Sequence, residues 1–488
     1  MSDITSTAHN VPDTASEESD TAVDVAAVSA KARKTLFPLL FVYLLGTLAI
    51  HAFNLVFHEI GADLDAGASA SLITAIPGVV LGIVCFVFGS LGDFISLRRM
   101  TVIGIMVLAA GSIGGFLLHG SLLWVIVFRV VQTVGFQTAG SAYLVIVARY
   151  LKPGEKLLWF GLFTASYQLG TAAGVLIGGW LGSIDWSLMF LVPLLGLFTL
   201  PVLMRNLPDM GTGAHVDVPG FALFGAGILF LTLFFSISQW WMVAVSVALF
   251  ILFAVYIAKA REPFMTTSFF TNRRWATAVL TIVIIYFINF AISPLLNALG
   301  GEVYGMGAFQ VALVMLVPLL LAACSGALSG RIAGHIGRFA AIVLGCTLMA
   351  VGLVAMAFAS GVSMVAVGAS LAVFYIGMAM LYSPVSSTVL DALGPEEYGR
   401  GVGMNDLALQ GGGSVGIAVF GGYIAVRPFS AVNATTLFLV FALIAAFAVV
   451  WTGSSSSPVA DLRKCVYTRR YSETPVNGQS IVLYQPSC

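Results

Sequence analysis

Residues 36–57 read LFPLLFVYLLGTLAIHAFNLVF, a run without Asp, Glu, Lys or Arg. A membrane-spanning helix needs about 20 mostly apolar residues, because the hydrocarbon layer is about 30 Å thick and an α-helix rises about 1.5 Å per residue. The run is long enough to cross that layer. It therefore predicts a transmembrane helix near the start of this sequence.

Similar runs continue almost without a break as far as Trp451, and most charged residues fall in the short gaps between them. The sixth and seventh runs each contain a Pro or Gly cluster, which interrupts a helical pattern. Apolar runs of this length are candidates for membrane spans. We predict an all-α integral membrane protein with fourteen spans, at residues 36–57, 71–91, 101–118, 122–147, 157–181, 187–204, 219–237, 240–260, 275–296, 310–329, 339–359, 363–383, 408–424 and 432–451.

The composition argues against other classes of protein. The chain is 59% hydrophobic and 9% charged, with a formal net charge of zero, so it cannot cover itself with the hydrated surface of a soluble domain. It has no basic stripe with interleaved aromatic residues, so we expect no binding to nucleic acid. The five cysteines form no C-x-x-C pair, and we expect no metal site and no cofactor.

The positive charges predict an orientation in the membrane. All but two of the 22 Lys and Arg residues lie in alternate gaps or in the two ends of the chain; the exceptions are Arg427 and Arg129. Cytoplasmic loops of membrane proteins carry an excess of Lys and Arg, so both termini are expected in the cytoplasm. Residues 1–30 hold six acidic and no basic side chains, a composition typical of disorder.

Glycine-rich motifs lie on or beside particular spans. GSLGDFISLRRM (89–100) follows the second span, and a looser version, GALSGRIAGHIGRF (326–339), follows the tenth. RVVQTVGFQTAG (129–140) lies on the fourth span, and GTAAGVLIGGWLG (170–182) on the fifth. With these motifs in this order, the chain resembles the major facilitator superfamily, and within it the fourteen-helix drug:proton antiporters.

Two further stretches, ARYLKPGEK (148–156) and IDWSLMFLVPLL (184–195), are similar to Gram-positive tetracycline efflux pumps. The resemblance implies two six-helix bundles with a central helix pair. The implied domains are a disordered cytoplasmic segment (1–35), a first bundle (36–204), two extra helices with cytoplasmic linkers (205–274), a second bundle (275–452) and a cytoplasmic tail (453–488).

The resemblance also implies a set of gating residues. Asp93 is expected to secure the outward-facing state through contacts with neighbouring helices. Three glycines of the fifth span are spaced by four, which puts them on one helix face and lets another backbone approach closely. The implied gating residues are Gly89, Asp93, Arg98, Arg99, Gly170, Gly174 and Gly178.

The first span departs from the antiporter pattern, because Ala49 and Ile50 stand where such proteins usually carry an acid. An ionisable group within a span is costly and is therefore a candidate for function. His51 and Arg129 have similar predicted depths. We hypothesise that His51 takes part in proton exchange and that Arg129 is its electrostatic neighbour. The alternatives are a core histidine bonded to a carbonyl or Tyr, and an arginine in a packing ion pair.

Asp406 is a third candidate charge. It lies in the predicted gap before the thirteenth span and either dips into the cavity mouth or acts as a helix cap or solvated loop charge.

Polar side chains within the spans are candidates for a substrate cavity, and many Phe and Met residues lie among them. Hydrogen-bonding groups on an adaptable aromatic wall suit amphipathic, lipophilic compounds. Hydrogen bonds between helices are the alternative role. The candidates are Asn54, Gln132, Gln137, Tyr167, Gln168, Tyr286, Asn289 and Tyr375.

No catalytic arrangement or nucleotide motif is present, so we predict a transporter rather than an enzyme. The expected function is efflux of hydrophobic drugs, of tetracycline or multidrug type, from a bacterial cytoplasmic membrane at the expense of the proton gradient. The expected partners are a small hydrophobic substrate, protons and lipid, and a monomer is expected. The alternatives are an exporter of an organic anion or other metabolite, suggested by an excess of basic over acidic groups in the predicted cavity, and a non-transporting membrane sensor or scaffold.

Overall fold

The computed structural model describes residues 30–91, 96–151, 153–209, 217–260, 263, 272–391, 398–426 and 429–455. In this part of the chain the regular structure is helical throughout, with three 3₁₀ segments at Gly67–Ser71, Trp186–Phe190 and Val192–Thr199. The α-helices of seven residues or more are α1 (Leu36–Asp63), α2 (Leu72–Leu91), α3 (Leu97–Leu117), α4 (Leu122–Tyr150), α5 (Pro153–Gly182), α6 (Leu200–Asn206), α7 (Val218–Ile237), α8 (Trp240–Lys259), α9 (Arg273–Tyr304), α10 (Ala308–Ile336), α11 (Arg338–Ala359), α12 (Met364–Asp391), α13 (Tyr398–Val426) and α14 (Ala431–Ser455).

Thirteen of the fourteen predicted spans each coincide with one α-helix, the sixth coincides with a run of three short helical segments, and the predicted all-α membrane fold is confirmed. Within the described residues, 11 segments are long and apolar enough to cross a membrane. The other three, α2, α5 and α13, have 20, 30 and 29 residues. At about 1.5 Å per residue, these three also reach the thickness of a hydrocarbon layer.

The sixth span is not a regular α-helix. It consists of the 3₁₀ segments Trp186–Phe190 and Val192–Thr199 followed by the seven residues of α6. Pro193 and Pro201 lie in this stretch and have no N–H to donate to an α-helical ladder, which explains why the predicted helix is broken here. The seventh span forms an unbroken helix, because Pro219 lies in its first turn, where a missing N–H costs nothing.

The start of α13 corrects the predicted position of Asp406. We expected a loop before residue 408, but α13 begins at Tyr398, so Asp406 lies within the helix and not in a cap or loop. The residues from 398 to 407 include three glycines, Arg400, Asn405 and Asp406, and their low hydropathy hides the helix from an apolar-run search. Asn405 and Leu407 in this stretch are buried, so α13 already packs against other helices at Asp406.

Contacts between helix ends define two faces of the molecule. At the face where α1 begins, Arg33 forms an ion pair with Glu155 near the start of α5. At the other face, Trp186 Nε1 donates to Asp63 at the end of α1 over 3.0 Å, and the Tyr304 hydroxyl donates to the Ser360 carbonyl over 2.7 Å. These are called the amino face and the opposite face below.

The helices form two halves. In the first half α1 packs on α4 and α5, while α2 and α3 pack on α4. In the second half α9 packs on α13 and α14, α10 on α12, and α11 on α12 and α14. The halves meet where α2 contacts α13, α5 contacts α10, and α1 contacts α9; α7 and α8 form a hairpin whose α7 lies against α2 and α13. The exact domain boundaries given above stay a prediction.

The predicted glycine face of α5 packs directly against α1. A Cβ placed on Gly174 would lie 2.5 Å from the Leu48 carbonyl oxygen, and one on Gly178 would lie 2.5 Å from Ala52 Cα. On Gly170 the nearest atom would be Thr47 Cβ, at 3.0 Å. The three glycines therefore allow α5 to approach α1 closely. Together these two helices form one wall of the site described next.

We expect Gly174→Ala to destabilise the protein by about 1 kcal/mol, because overpacking a well-filled contact costs more than the helix propensity that alanine gains. Thermal unfolding of the purified protein measures this. Gly334→Ala is the matched control, since a Cβ there meets nothing within 4 Å. Equal melting temperatures for the two variants would contradict the assignment of Gly174 to a tight helix contact.

Candidate functional site

A cavity lies between the two halves, and its walls come from α1, α2, α4 and α5 of the first half and α9, α10, α12 and α13 of the second. The empty space between these walls, part of which is open to solvent, is about 820 Å³. We call it the main cavity. Its lining residues are Tyr43, Thr47, Ile50, Leu81, Cys85, Phe136, Gln137, Phe163, Tyr167, Gln168, Tyr286, Gly326, Met378, Ala379, Tyr382, Asp406, Leu409 and Gln410.

Among the described residues that line this cavity, Asp406 is the one that carries a charge. Six aromatic side chains share the lining with it, and two of them, Tyr43 and Phe163, stack with their ring centroids 4.3 Å apart. Aromatic faces attract cations, and a carboxylate complements a positive charge. The main cavity therefore suits a hydrophobic cation.

A second cavity of about 400 Å³ adjoins the main cavity and shares Tyr167, Gln168 and Met378 with it. We call it the side chamber. The His51 ring contacts the rings of Tyr167 and Phe290 edge-on, at centroid distances of 5.8 and 5.9 Å. The side chamber is lined by His51, Asn54, Tyr167, Gln168, Thr171, Val175, Asn289, Ser293, Leu319, Ala322, Tyr375 and Met378.

Arg129 lines a third cavity, of about 360 Å³, together with Asn54, Gln410 and Ser414 among others. Its side chain is 2% exposed, its guanidinium carbon lies 4.2 Å from the centre of the Phe53 ring, and its Nη1 donates to Gln132 Oε1 over 2.6 Å. Among the described residues no carboxylate forms an ion pair with it. The predicted packing ion pair is thus absent from this part of the chain, and a cation–π contact takes its place.

His51 and Arg129 were predicted as electrostatic neighbours. The structure places them in the linings of different cavities, with Asn54 as the lining residue that these two cavities share. Neither the hydrogen bonds nor the ring contacts of His51 include Arg129. A role of His51 in proton exchange, with Arg129 as its electrostatic neighbour, stays a prediction.

Two asparagines join the halves near the opposite face. Pro294 of α9 has no N–H, so the carbonyl of Phe290, four residues earlier, lacks its helical donor. Asn54 Nδ2 of α1 donates to that carbonyl over 2.9 Å. In the other direction, Asn297 Nδ2 of α9 donates to the Leu55 carbonyl over 3.0 Å and also bonds Glu59, next to the non-helical backbone at Val56.

These reciprocal bonds, which we call the asparagine latch, close the space between α1 and α9 on the opposite side of the site. Asp406, Tyr43 and Tyr382 of the main cavity lie in the halves of α13, α1 and α12 that are nearer the amino face. The asparagine latch therefore joins the two halves on the side of the main cavity that faces away from the amino face.

The loop with the GSLGDFISLRRM motif is only partly described, because Asp93 lies outside the described residues. Ser96 caps α3 by accepting from the Arg99 N–H over 3.3 Å, and its hydroxyl donates to Asp209, which lowers the pKa of that carboxyl. Arg98 donates twice to the Leu207 carbonyl, over 3.1 and 2.9 Å. These contacts tie the start of α3 to the end of the sixth span. Gly89 lies in the last turn of α2, and Arg99 is exposed.

Seven of the eight predicted cavity residues line one or more of the three cavities. The exception is Gln132, which lines none of them: its Nε2 donates to Ser112 Oγ over 2.9 Å and to the Phe190 carbonyl over 3.3 Å. Gln132 therefore holds α4 to α3 and the sixth span.

Sequence reasoning missed Tyr43, Tyr382 and Ser293, which line the main cavity or the side chamber. The available signal was that each is a polar side chain within an apolar run.

Comparison with known proteins gives one family. A model described as Major Facilitator Superfamily matches residues 39–417. The chain is 24% identical over 361 residues to the riboflavin transporter RibZ of Clostridioides difficile, covering 71% of this chain and 78% of that protein. It is 25% identical over 364 residues to the multidrug resistance protein Stp of Mycobacterium tuberculosis, covering 71% and 67%. It is 22% identical over 355 residues to the multidrug transporter protein MdtP of Bacillus subtilis, covering 70% and 65%.

Among solved structures, a peptide transporter POT (E310Q mutant) in complex with alafosfalin superposes with a TM-score of 0.65. The match covers 86% of this chain and 93% of that one, at 16% sequence identity. A likeness at this identity supports the fold alone.

Proposed function

We propose, because the chain belongs to the Major Facilitator Superfamily of membrane transporters, that it exports hydrophobic cationic drugs in exchange for protons. Proteins of this family are transporters and not enzymes, so this is a multi-pass transport protein. The relatives named as transporters give the sensor or scaffold alternative no support. Two relatives are named for multidrug transport, and we extend that activity to this chain.

The observation that carries the proposal is the main cavity with Asp406 as its charged lining residue among six aromatic side chains. A cation that leaves water for such a site keeps a charge partner, while an organic anion would meet an uncompensated carboxylate. Arg129, the basis of the organic-anion alternative, lines a different cavity. The charge of the main cavity therefore favours cations over anions.

Two side chains, Asp406 and His51, are the candidates for the group that carries the exchanged proton. Asp406 is half-buried and faces the main cavity, whereas His51 is 5% exposed inside the side chamber. Protonation of Asp406 removes the charge that holds a cationic drug, so drug and proton compete for one group. This competition would couple export to proton uptake without the first-span acid that the sequence lacks.

We place the protein in a bacterial cytoplasmic membrane with both termini inside, as the distribution of Lys and Arg favours. The amino face is then cytoplasmic, and the closed asparagine latch lies on the outer side. In this arrangement the main cavity collects its substrate from the cytoplasmic side. We propose that it works as a monomer in lipid, without a cofactor and with the proton gradient as its energy source.

A second candidate function is export of an uncharged metabolite of the riboflavin type. The similarity to RibZ and the uncharged lining of the side chamber favour it. Riboflavin is therefore the metabolite to include in the test below.

The test is transport by purified protein in liposomes with an imposed pH gradient. Ethidium, tetracycline, riboflavin and a panel of organic anions are added in turn, and proton movement is followed with a pH-sensitive dye. We expect the cationic dye and the drug to dissipate the gradient, and the organic anions to leave it unchanged. Dissipation by riboflavin alone would replace the proposal with the metabolite function, and dissipation by anions alone would overturn both.

A further inference from the structure

The side chamber concentrates polar atoms that have no hydrogen-bond partner. Five side chains in its lining each present one such buried atom: His51 Nε2, Asn54 Oδ1, Tyr167 Oη, Asn289 Oδ1 and Ser293 Oγ. Buried polar atoms in folded proteins are nearly all paired, either with other protein groups or with ordered water. Five unpaired atoms around one cavity indicate that ordered water or a bound polar group fills it.

The chemistry of these atoms defines the occupant. The two amide oxygens, of Asn54 and Asn289, only accept hydrogen bonds, whereas the hydroxyls of Tyr167 and Ser293 and the His51 ring nitrogen can accept or donate. A group that carries N–H or O–H donors therefore fits better than one with acceptors alone.

Among the described residues that line the side chamber, none carries a full charge when His51 is neutral. A charged group would leave water for this space without a counterion, which is costly. The occupant is thus uncharged and polar, in contrast to the cation that suits the main cavity.

The position of the side chamber links it to the main cavity. Tyr167, Gln168 and Met378 belong to both linings, so one molecule that reaches past these side chains occupies both cavities. His51 and Tyr167 come from the first half, and Asn289 and Ser293 come from the second. An occupant that bonds both sets holds the two halves together in the state described here.

We propose that the side chamber binds the uncharged, hydrogen-bond-donating end of the transported substrate, such as a carboxamide, while the cationic part stays in the main cavity beside Asp406. This inference rests on the proposed function and deepens it. A preferred substrate then carries two separate groups, a cation for the main cavity and an uncharged hydrogen-bond donor for the side chamber. Water alone in the chamber is the competing occupant, and it would give no selectivity for such a group.

A pair of matched phosphonium cations tests the proposal. The probes are (4-carbamoylbutyl)triphenylphosphonium, which ends in a carboxamide, and (5-methylhexyl)triphenylphosphonium, which has the same shape with an isopropyl group in place of the amide. Binding of each to the purified full-length protein is measured by calorimetry. The quantity compared is the ratio of the two dissociation constants, because the ratio removes the contribution of the shared cation.

Ser293→Ala and Asn289→Leu are each expected to reduce the preference for the amide probe about fivefold, the factor that corresponds to one neutral hydrogen bond. Thr133→Val is the matched control: Thr133 is also buried with an unpaired hydroxyl, but it lines none of the three cavities. It should leave the ratio unchanged. Asp406→Asn should weaken both probes by the same factor and leave the ratio unchanged.

Two results would overturn the inference in different ways. If the wild-type protein binds both probes and the chamber variants leave the ratio unchanged, the chamber holds only water, and the proposed cation site stands. If the wild-type protein binds neither probe, the proposed export of cations fails, and the inference fails with it. Ser293→Ala is a conservative change, so the test does not depend on the folding of Asn289→Leu.

Discussion

Replacing Asp406 by Asn is expected to weaken binding of cationic drugs about 30-fold and to abolish their exchange for protons. Asn has nearly the same size but no charge, so the variant removes the charge partner and leaves the cavity shape. A charge pair at 4 Å is worth about 4 kcal/mol at an effective dielectric constant of 20, and desolvation offsets part of that. About 2 kcal/mol remains, which corresponds to about 30-fold in the dissociation constant.

Asp406→Glu is the matched control, because it keeps a carboxylate at the same position of α13. It should retain proton exchange, although the longer side chain alters affinity. Ethidium binding followed by fluorescence and gradient dissipation in liposomes measure the two effects separately. Wild-type affinity and exchange in Asp406→Asn would show that Asp406 is neither the drug's charge partner nor the proton carrier.

His51 is the competing proton carrier, and the same assay separates the two assignments. If His51 carries the proton, His51→Ala abolishes gradient dissipation while drug binding stays measurable, and Asp406→Asn weakens binding but keeps the exchange. The structure favours Asp406, because a proton carrier needs contact with water at some stage of the cycle. Asp406 faces the larger cavity, whereas His51 is enclosed by Tyr167 and Phe290.

The spans were predictable from the sequence because the length of an apolar run is a local property. The start of α13 was not, because its first turns carry Arg400, Asn405 and Asp406 and so lack the apolar signal. Such a segment is stable only when helices from the rest of the chain surround it. A search by hydropathy therefore fails at the part of the helix that brings Asp406 into the cavity.

The roles of polar residues in the spans depended on which helices are neighbours. Gln132 and Gln137 lie on the same helix and were predicted alike, yet Gln132 bonds Ser112 and Phe190 while Gln137 faces the main cavity. The difference is set by the rotation of α4 against α3, which depends on long-range packing. Long-range packing also decides the role of Pro294. Its missing N–H is evident in the sequence, but Asn54 can donate to the Phe290 carbonyl that this leaves free only because α1 lies beside α9.

Removing the asparagine latch with Asn54→Leu and Asn297→Leu is expected to shift the protein toward a state open at the opposite face. Three hydrogen bonds are lost: from Asn54 to the Phe290 carbonyl, and from Asn297 to the Leu55 carbonyl and to Glu59. Hydrogen bonds between membrane helices average about 0.6 kcal/mol, so the equilibrium should move by about 1.8 kcal/mol, or roughly 20-fold. Spin labels at Ala62 and Val362, on a background without native cysteines, would report the change as a longer distance.

Pro294→Ala provides an independent check of the same mechanism. Alanine restores the N–H at position 294, which can donate to the Phe290 carbonyl within α9 and so competes with Asn54 for that acceptor. This variant keeps both asparagines, and it should reproduce part of the shift seen in the double variant. If neither variant changes the distance distribution, the latch does not hold the opposite face closed. A shift in the double variant alone would assign the closure to Asn297 and Glu59, and not to the acceptor that Pro294 exposes.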